Sequence, residues 1–134
     1  MLQVYSQNVT VNANSNIPLE ISKIDKGCYE SLSGTSAIDL NHCGVYRVTV
    51  NGTVTPSEAG TFGVELFKDG VAQTETLSQA TVVESSLYPF SFSTLVQVNR
   101  NNGNCACCSP TVLNIVNTGV AAEYDVNVTV DKVC

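Results

Sequence analysis

The residues best equipped for chemistry are six cysteines, Cys28, Cys43, Cys105, Cys107, Cys108 and Cys134. An even cysteine count in a secreted chain suggests disulfides, and clustered soft thiolates also bind zinc or iron. Cys105-Ala-Cys107-Cys108 is a C-x-C-C run, which differs from the paired C-x-x-C of zinc ribbons. Three states therefore stay open: free thiols, at least one disulfide, or a metal site. His42, the only histidine, adjoins Cys43. Neighbours on a strand point to opposite faces, so the pair cannot form a nucleophilic dyad, and no third residue is placed to orient it.

Other catalytic signatures are missing. There is no Gly-x-Ser-x-Gly elbow, phosphate loop or His-Glu-x-x-His helix. The 12 acidic residues are scattered singly. A glycosidase needs two carboxylates across a cleft, and only folding could bring Glu20, Glu65 or Glu84 together. The acids read as solvated surface groups. The sequence thus predicts a protein that is not an enzyme, with no cofactor beyond a metal at the cysteines.

Charge excludes further classes. Six Lys and Arg stand against 12 Asp and Glu, for a net charge of −6. Nucleic-acid binding needs clustered cations to displace phosphate counterions, and the nearest candidate, Lys23 and Lys26, has Asp25 between its members. No apolar run reaches the roughly 18 residues of a membrane span, so no membrane insertion is expected. Met1-Leu2-Gln3-Val4-Tyr5 lacks the basic and apolar regions of a secretory signal, so an outside location implies assembly, lysis or processing of a precursor.

The elements that must carry these residues are strands. With 43% apolar and 13% charged residues, 134 residues suit one folded domain spanning 1–134. Helical periodicity is scarce and apolar–polar alternation recurs throughout. Tyr124, Val126, Val128 and Val130 alternate with Asp125, Asn127, Thr129 and Asp131, as Tyr46, Val48 and Val50 do with Arg47, Thr49 and Asn51. Ile17, Leu19 and Ile21 alternate too, with Pro18 marking an edge or strand start. Phe62, Val64 and Leu66 lead to Asp69-Gly70, a tight-turn dipeptide, with Val71 opening the return strand. Further strands are predicted over Val4 to Val11, Ala37 to Leu40, Thr81 to Ser85, Phe90 to Val98 and Thr111 to Val116, with Asn99 to Asn104 as the most polar loop. Tyr46, Phe62, Phe90, Phe92 and Tyr124 read as core. Asn8, Asn51 and Asn127 begin Asn-x-Thr triplets that read as polar strand positions rather than glycan acceptors.

Several segments in order resemble the jelly-roll domains of the tumour necrosis factor and complement globular-head superfamily, in a bacterial or phage-borne branch. They are Asn14-Ser-Asn-Ile-Pro-Leu19, Lys26-Gly-Cys28, Ile38-Asp-Leu40 leading into Gly44-Val-Tyr-Arg-Val48, Val64-Glu-Leu-Phe-Lys-Asp-Gly70, Thr94-Leu-Val-Gln-Val98, Cys107-Cys-Ser-Pro-Thr-Val-Leu113 and Val116-Asn-Thr-Gly119. Similar domains end collagen-like surface proteins of spore-forming bacteria and occur in phage structural proteins. No Gly-X-Y repeat is present here, so a stalk belongs to another chain or is missing.

The resemblance implies an all-β, two-sheet antiparallel jelly roll of about ten strands, assembled as a homotrimer with one sheet facing the threefold axis. In that topology the final strand pairs with the strand from Gly44, which pairs with the strand ending near Val98. Cys43, Cys105, Cys107, Cys108 and Cys134 would then share one pole. Arg47, Asn51, Asp125 and Asn127 would face the axis as interface residues, with Arg47 and Asp125 pairing directly or across protomers. The implied role is structural, decorating or attaching, on the outside of a phage virion or bacterial surface layer, with further copies of the chain and other particle or surface proteins as partners. Two other readings remain: a lectin-like or receptor-binding head using polar loops, and a thiol- or metal-dependent protein using the cysteines.

Overall fold

The computed structural model describes residues 1–19, 21–25, 30–98 and 111–133. Along them run β1 (Leu2–Val11), β2 (Ser15–Asn16), β3 (Ile21–Asp25), β4 (Glu30–Ser33), β5 (Ala37–Leu40), β6 (Gly44–Pro56), β7 (Gly60–Lys68), β8 (Val71–Ala72), β9 (Ser78–Val82), β10 (Tyr88–Val98), β11 (Thr111–Asn117) and β12 (Ala122–Lys132), with a 3-10 turn at Thr74–Thr76. One sheet has the order β10-β6-β12-β1-β3. The other has β4-β5-β11-β7-β8, with β2 on β11 and β9 on β7. Every pairing is antiparallel. This is the expected two-sheet jelly roll, and β12 beside β6 beside β10 is the expected neighbour order.

Period-two patterning explains the first sheet. Tyr124, Val126, Val128 and Val130 are buried, as are Tyr46, Val48, Val50 and Val54. Register pairs Tyr124 with Val54, Val128 with Val50 and Val130 with Val48. The second sheet presents Ile38, Leu40, Val64, Leu66, Leu113 and Ile115 to the same core. Burying each such side chain contributes about 1.5–3 kcal/mol. Phe90 bridges the layers, with its ring centroid 5.6 Å from Phe62 and 6.1 Å, edge-on, from Tyr124.

Asp69 and Gly70 take φ of 49° and 81°, the left-handed pair of a two-residue hairpin, and Lys68 pairs with Val71. Asp69 Oδ1 also accepts the Val112 amide at 2.9 Å, joining the turn to β11.

One connection crosses between the sheets under tight constraint. Asn117, fully buried, ends β11, and Tyr124 lies on β12 in the other sheet. The Asn117 carboxamide oxygen accepts from Tyr124 Oη at 2.9 Å and the Gly119 amide at 3.1 Å. Its nitrogen donates to the carbonyls of Val11, Asn12 and Val120 at 3.0–3.2 Å. The turn lies flat on β7, with Thr118 N–H on the Gly63 carbonyl and Val120 N–H on that of Thr61. A Cβ on Gly119 would strike Thr61 O and Gly63 N, so only glycine permits this approach.

Some sequence expectations fail locally. Ile17 and Leu19 are buried outside any strand, held by single bonds from Ile17 N–H to Ile115 O and Leu19 N–H to Thr35 O, because the intervening Pro18 has no amide to continue a ladder. The strand expected at Thr81 to Ser85 is β9, Ser78–Val82, since Ser85 is left-handed at φ 64° and turns the chain. Glu65 is 7% exposed and Glu30 2%, so these two acids are not solvated surface groups. Glu30 forms an ion pair with the Met1 α-ammonium.

Two outcomes follow from the Asn117–Tyr124 contact. Asn117→Leu strands several buried polar groups, each worth about 1–3 kcal/mol, so urea unfolding should show a loss of roughly 3–5 kcal/mol at unchanged slope; a loss under about 1 kcal/mol would contradict the assignment. Burial raises the Tyr124 phenol far above its ordinary value of 10.0. The folded state therefore holds this proton more tightly than the unfolded chain, and stability is fully present below pH 10 and declines as pH rises above it. Urea unfolding followed from pH 9 to 11 should show that decline, and Tyr124→Phe should flatten it.

Candidate interaction face

The side of the first sheet turned away from the core carries the alternate residues of β1, β12, β6 and β10. Register arranges them in cross-strand rows. Tyr5, Asn127, Asn51 and Ser91 form one; Gln3, Thr129, Thr49 and Ser93 form the next. The rows are knitted by Gln3 Nε2 donating to Asn127 Oδ1 at 3.1 Å and by a 3.2 Å bond between the Thr49 and Ser93 hydroxyls. Asp131, Arg47 and Leu95 lie across one end, and Asp125, Thr53 and Pro89 lie beyond Asn51 at the other. The centre of the face therefore consists of uncharged hydroxyls and carboxamides, with charge toward its ends.

Two shallow open grooves flank Asn51 and Gly52. One, of about 430 Å³, is lined by Gln3, Tyr5, Gln7, Lys23, Asp125 and Asn127 among others. The other, about 550 Å³, lies between β6 and β10 beside Thr53, Pro89 and Ser91. A Cβ on Gly52 would strike the Asp125 carbonyl, so glycine lets β6 and β12 approach here.

Asn51, Asp125 and Asn127 all lie on this face, with Asn51 directly opposite Asn127. Arg47 lies there too, but direct pairing with Asp125 is not made. Register sets Arg47 against Asp131 and Asp125 against Thr53, about 20 Å along the strand at 3.4 Å per residue. Asp125 instead serves β1, where a bulge between Ser6 and Val9 leaves Asn8 left-handed at φ 52°, and its amide donates to Asp125 Oδ1 at 2.8 Å.

Cys43 immediately precedes β6 and is disulfide-bonded, so the free-thiol reading fails there; its partner lies outside the described residues. Cys28, Cys105, Cys107, Cys108 and Cys134 also lie outside them, as do Glu20, Lys26 and the Asn99 to Asn104 loop. Among the described residues no group of three or more His, Cys, Asp or Glu could hold a metal ion. No helix of the described residues is long and apolar enough to cross a membrane.

Sequence reading passed over Leu95, the apolar member of the outer face of β10, which is 61% exposed. The signal was available: an apolar residue at an outward position of an otherwise Ser- and Gln-bearing alternation. β10 is also an edge strand, and Lys68 Nζ covers its Gln97 carbonyl at 2.7 Å, a use of lysine that discourages indiscriminate strand pairing.

Strand order and antiparallel pairing together define a two-sheet jelly roll. No protein-family model and no curated protein matches the chain. Among solved structures it is similar to the PRD1 vertex protein P5, at 16% identity and TM-score 0.64, covering 99% of this chain and 96% of that one. It is similar to the globular domain of the zebrafish complement 1qA protein, at 10% identity and TM-score 0.67, over 96% and 94% of the two chains. Rabbit GITRL matches at 9% identity and TM-score 0.52, over 96% and 93%. At such identities the likeness shows the fold.

Asp125→Ala removes the acceptor for the Asn8 amide at a partly exposed site. Chemical denaturation should register a loss of about 0.5–1.5 kcal/mol, most of it recovered in Asp125→Asn, whose Oδ1 can still accept the Asn8 backbone amide. An equal loss in both variants would assign Asp125 some other role.

Proposed function

We propose that the chain is a non-catalytic module that forms a homotrimer through the outer face of β10, β6, β12 and β1, and acts as a structural, decorating or attachment piece on the outside of a phage virion or bacterial surface layer. The observation that carries this reading is the face itself: a broad sheet surface whose centre bears short uncharged side chains, with Leu95 at its rim. Such a surface approaches a copy of itself without placing like charges together, and its hydroxyls and carboxamides can satisfy one another directly or through water. Support also comes from the likeness to a vertex protein and to a complement globular domain, both over more than nine-tenths of this chain.

The charged row then falls into place. Arg47 beside Asp131, near one end of the face, gives each protomer both signs at its rim, and complementary rims set register and orientation more than affinity. This keeps a role for Arg47, Asn51, Asp125 and Asn127 at the interface while giving Asp125 its own structural task.

Size exclusion with light scattering should report about three times 14.2 kDa. Asn51→Arg and Thr49→Arg, each placing charge at the centre of the face, should reduce the mass to that of one chain with an unchanged far-ultraviolet spectrum. A wild-type monomer, or variants that remain trimeric, would remove the proposed interface.

A further inference from the structure

The two buried acids differ in their partners. Glu30 is paired with the Met1 α-ammonium, whereas neither an ion pair nor a hydrogen bond reaches the Glu65 carboxylate among the described residues, although Glu65 is only 7% exposed. Phe62, Val64 and Leu66 of β7 face the core, so Glu65 stands on the opposite side of the second sheet. Withdrawing a carboxylate from water without a counter-charge costs stability, so packing alone does not account for an acid here.

The surroundings of Glu65 form an apolar collar with one polar side. Register places Val116 directly across from it on β11, and Phe67 lies one pleat along β7 on the same side of the sheet. On the other flank Ser78 pairs with Val64, and Thr76 Oγ1 accepts the Leu66 amide at 2.9 Å, which brackets Leu77 alongside Glu65. In the remaining direction Gly63 has no side chain. A Cβ there would strike Thr118 Oγ1, so this hydroxyl lies over the outer side of β7, at a position about 7 Å along the strand from Glu65. Thr118 Oγ1 is also buried without a hydrogen-bond partner.

We propose that this recess is a socket for the guanidinium of an arginine carried by a protein partner. A guanidinium presents two parallel N–H groups to a carboxylate and keeps others for the Thr118 hydroxyl, and its plane stacks on an aromatic ring such as that of Phe67. Val116 and Leu77 exclude water from the pair and pack the aliphatic stem, the setting in which one charged contact dominates an interface. A metal ion fits poorly: calcium takes about six to eight oxygens, and no group of three or more His, Cys, Asp or Glu stands here among the described residues. The net charge of −6 favours approach of a basic partner. The socket is on the sheet that the proposed trimer leaves outward, so its occupation neither requires nor opposes that assembly.

The test is a titration of the full chain followed by backbone amide chemical shifts, with the terminally blocked tripeptide Gly-Arg-Gly as the probe and its lysine and glutamine counterparts as controls. The arginine probe should shift the Gly63, Glu65, Val116 and Thr118 amides saturably and bind about fivefold or more tighter than the lysine probe, with no saturable shift from the glutamine probe. Glu65→Gln should weaken arginine binding about tenfold or more while leaving the urea midpoint unchanged or raised, and Thr118→Val should weaken binding about threefold. No saturable shift at these amides, equal binding of a control tripeptide, or undiminished binding by Glu65→Gln would overturn the socket. A lowered urea midpoint in Glu65→Gln would overturn it too, by giving the carboxylate a role within the fold. Ethylguanidinium binding as tightly as the arginine tripeptide would overturn the protein partner in favour of a free ligand. The wild-type arm stands even if a variant fails to fold, and a monomeric wild type would remove the trimer without touching this result.

Discussion

A single buried carboxamide fixes how the two sheets meet. Asn117 closes β11 in one layer and holds its own turn there, while also holding Tyr124 of β12 and the end of β1 in the other. A hydrophobic core is non-directional and would tolerate some sliding of one layer over the other. Buried polar groups are not tolerant, because each orphaned donor or acceptor has a desolvation cost. Satisfying all of these groups at once permits one placement of β12, and Gly119 supplies the close approach to β7 that the placement needs.

From that placement the outer face follows. β12 lies between β1 and β6, and its register against both decides that Asn127 stands beside Tyr5 and Asn51 and that Thr129 stands beside Gln3 and Thr49. A one-residue slip would turn Val126, Val128 and Val130 outward and bury Asp125, Asn127 and Asp131. The polar outer surface is thus a consequence of core patterning. Its polarity has an energetic meaning as well: the proposed association through hydroxyls and carboxamides would gain little from apolar burial, so shape, hydrogen bonds and rim charges would have to offset the lost freedom of the subunits.

The sequence revealed the parts of the fold that depend on period-two burial and on turn chemistry. β12, β6 and the Asp69-Gly70 hairpin are legible because their signals are local. Ile17 and Leu19 were read as strand because burial alternates there, yet the amide missing from Pro18 prevents a ladder. β2 and β4 are too short to show a period. Asn117 and Asp125 escaped because their roles depend on residues more than a hundred positions away, Val11 and Asn8, which no window of sequence brings together. Asn51 and Asn127 were correctly turned outward by parity, whereas pairing Arg47 with Asp125 required the register as well as the face.

In the proposed assembly the outer face of the first sheet is covered by other copies of the chain. Hydroxyl-radical footprinting across a dilution series reads this directly, because Leu95 on the face is 61% exposed while Val71 and Leu87, elsewhere on the molecule, are 64% and 66% exposed. Leu95 should be protected at concentrations where the assembly persists and oxidised on dilution, with Val71 and Leu87 reactive throughout. Leu95 reacting equally at every concentration, or protection falling on Val71 and Leu87 instead, would contradict it.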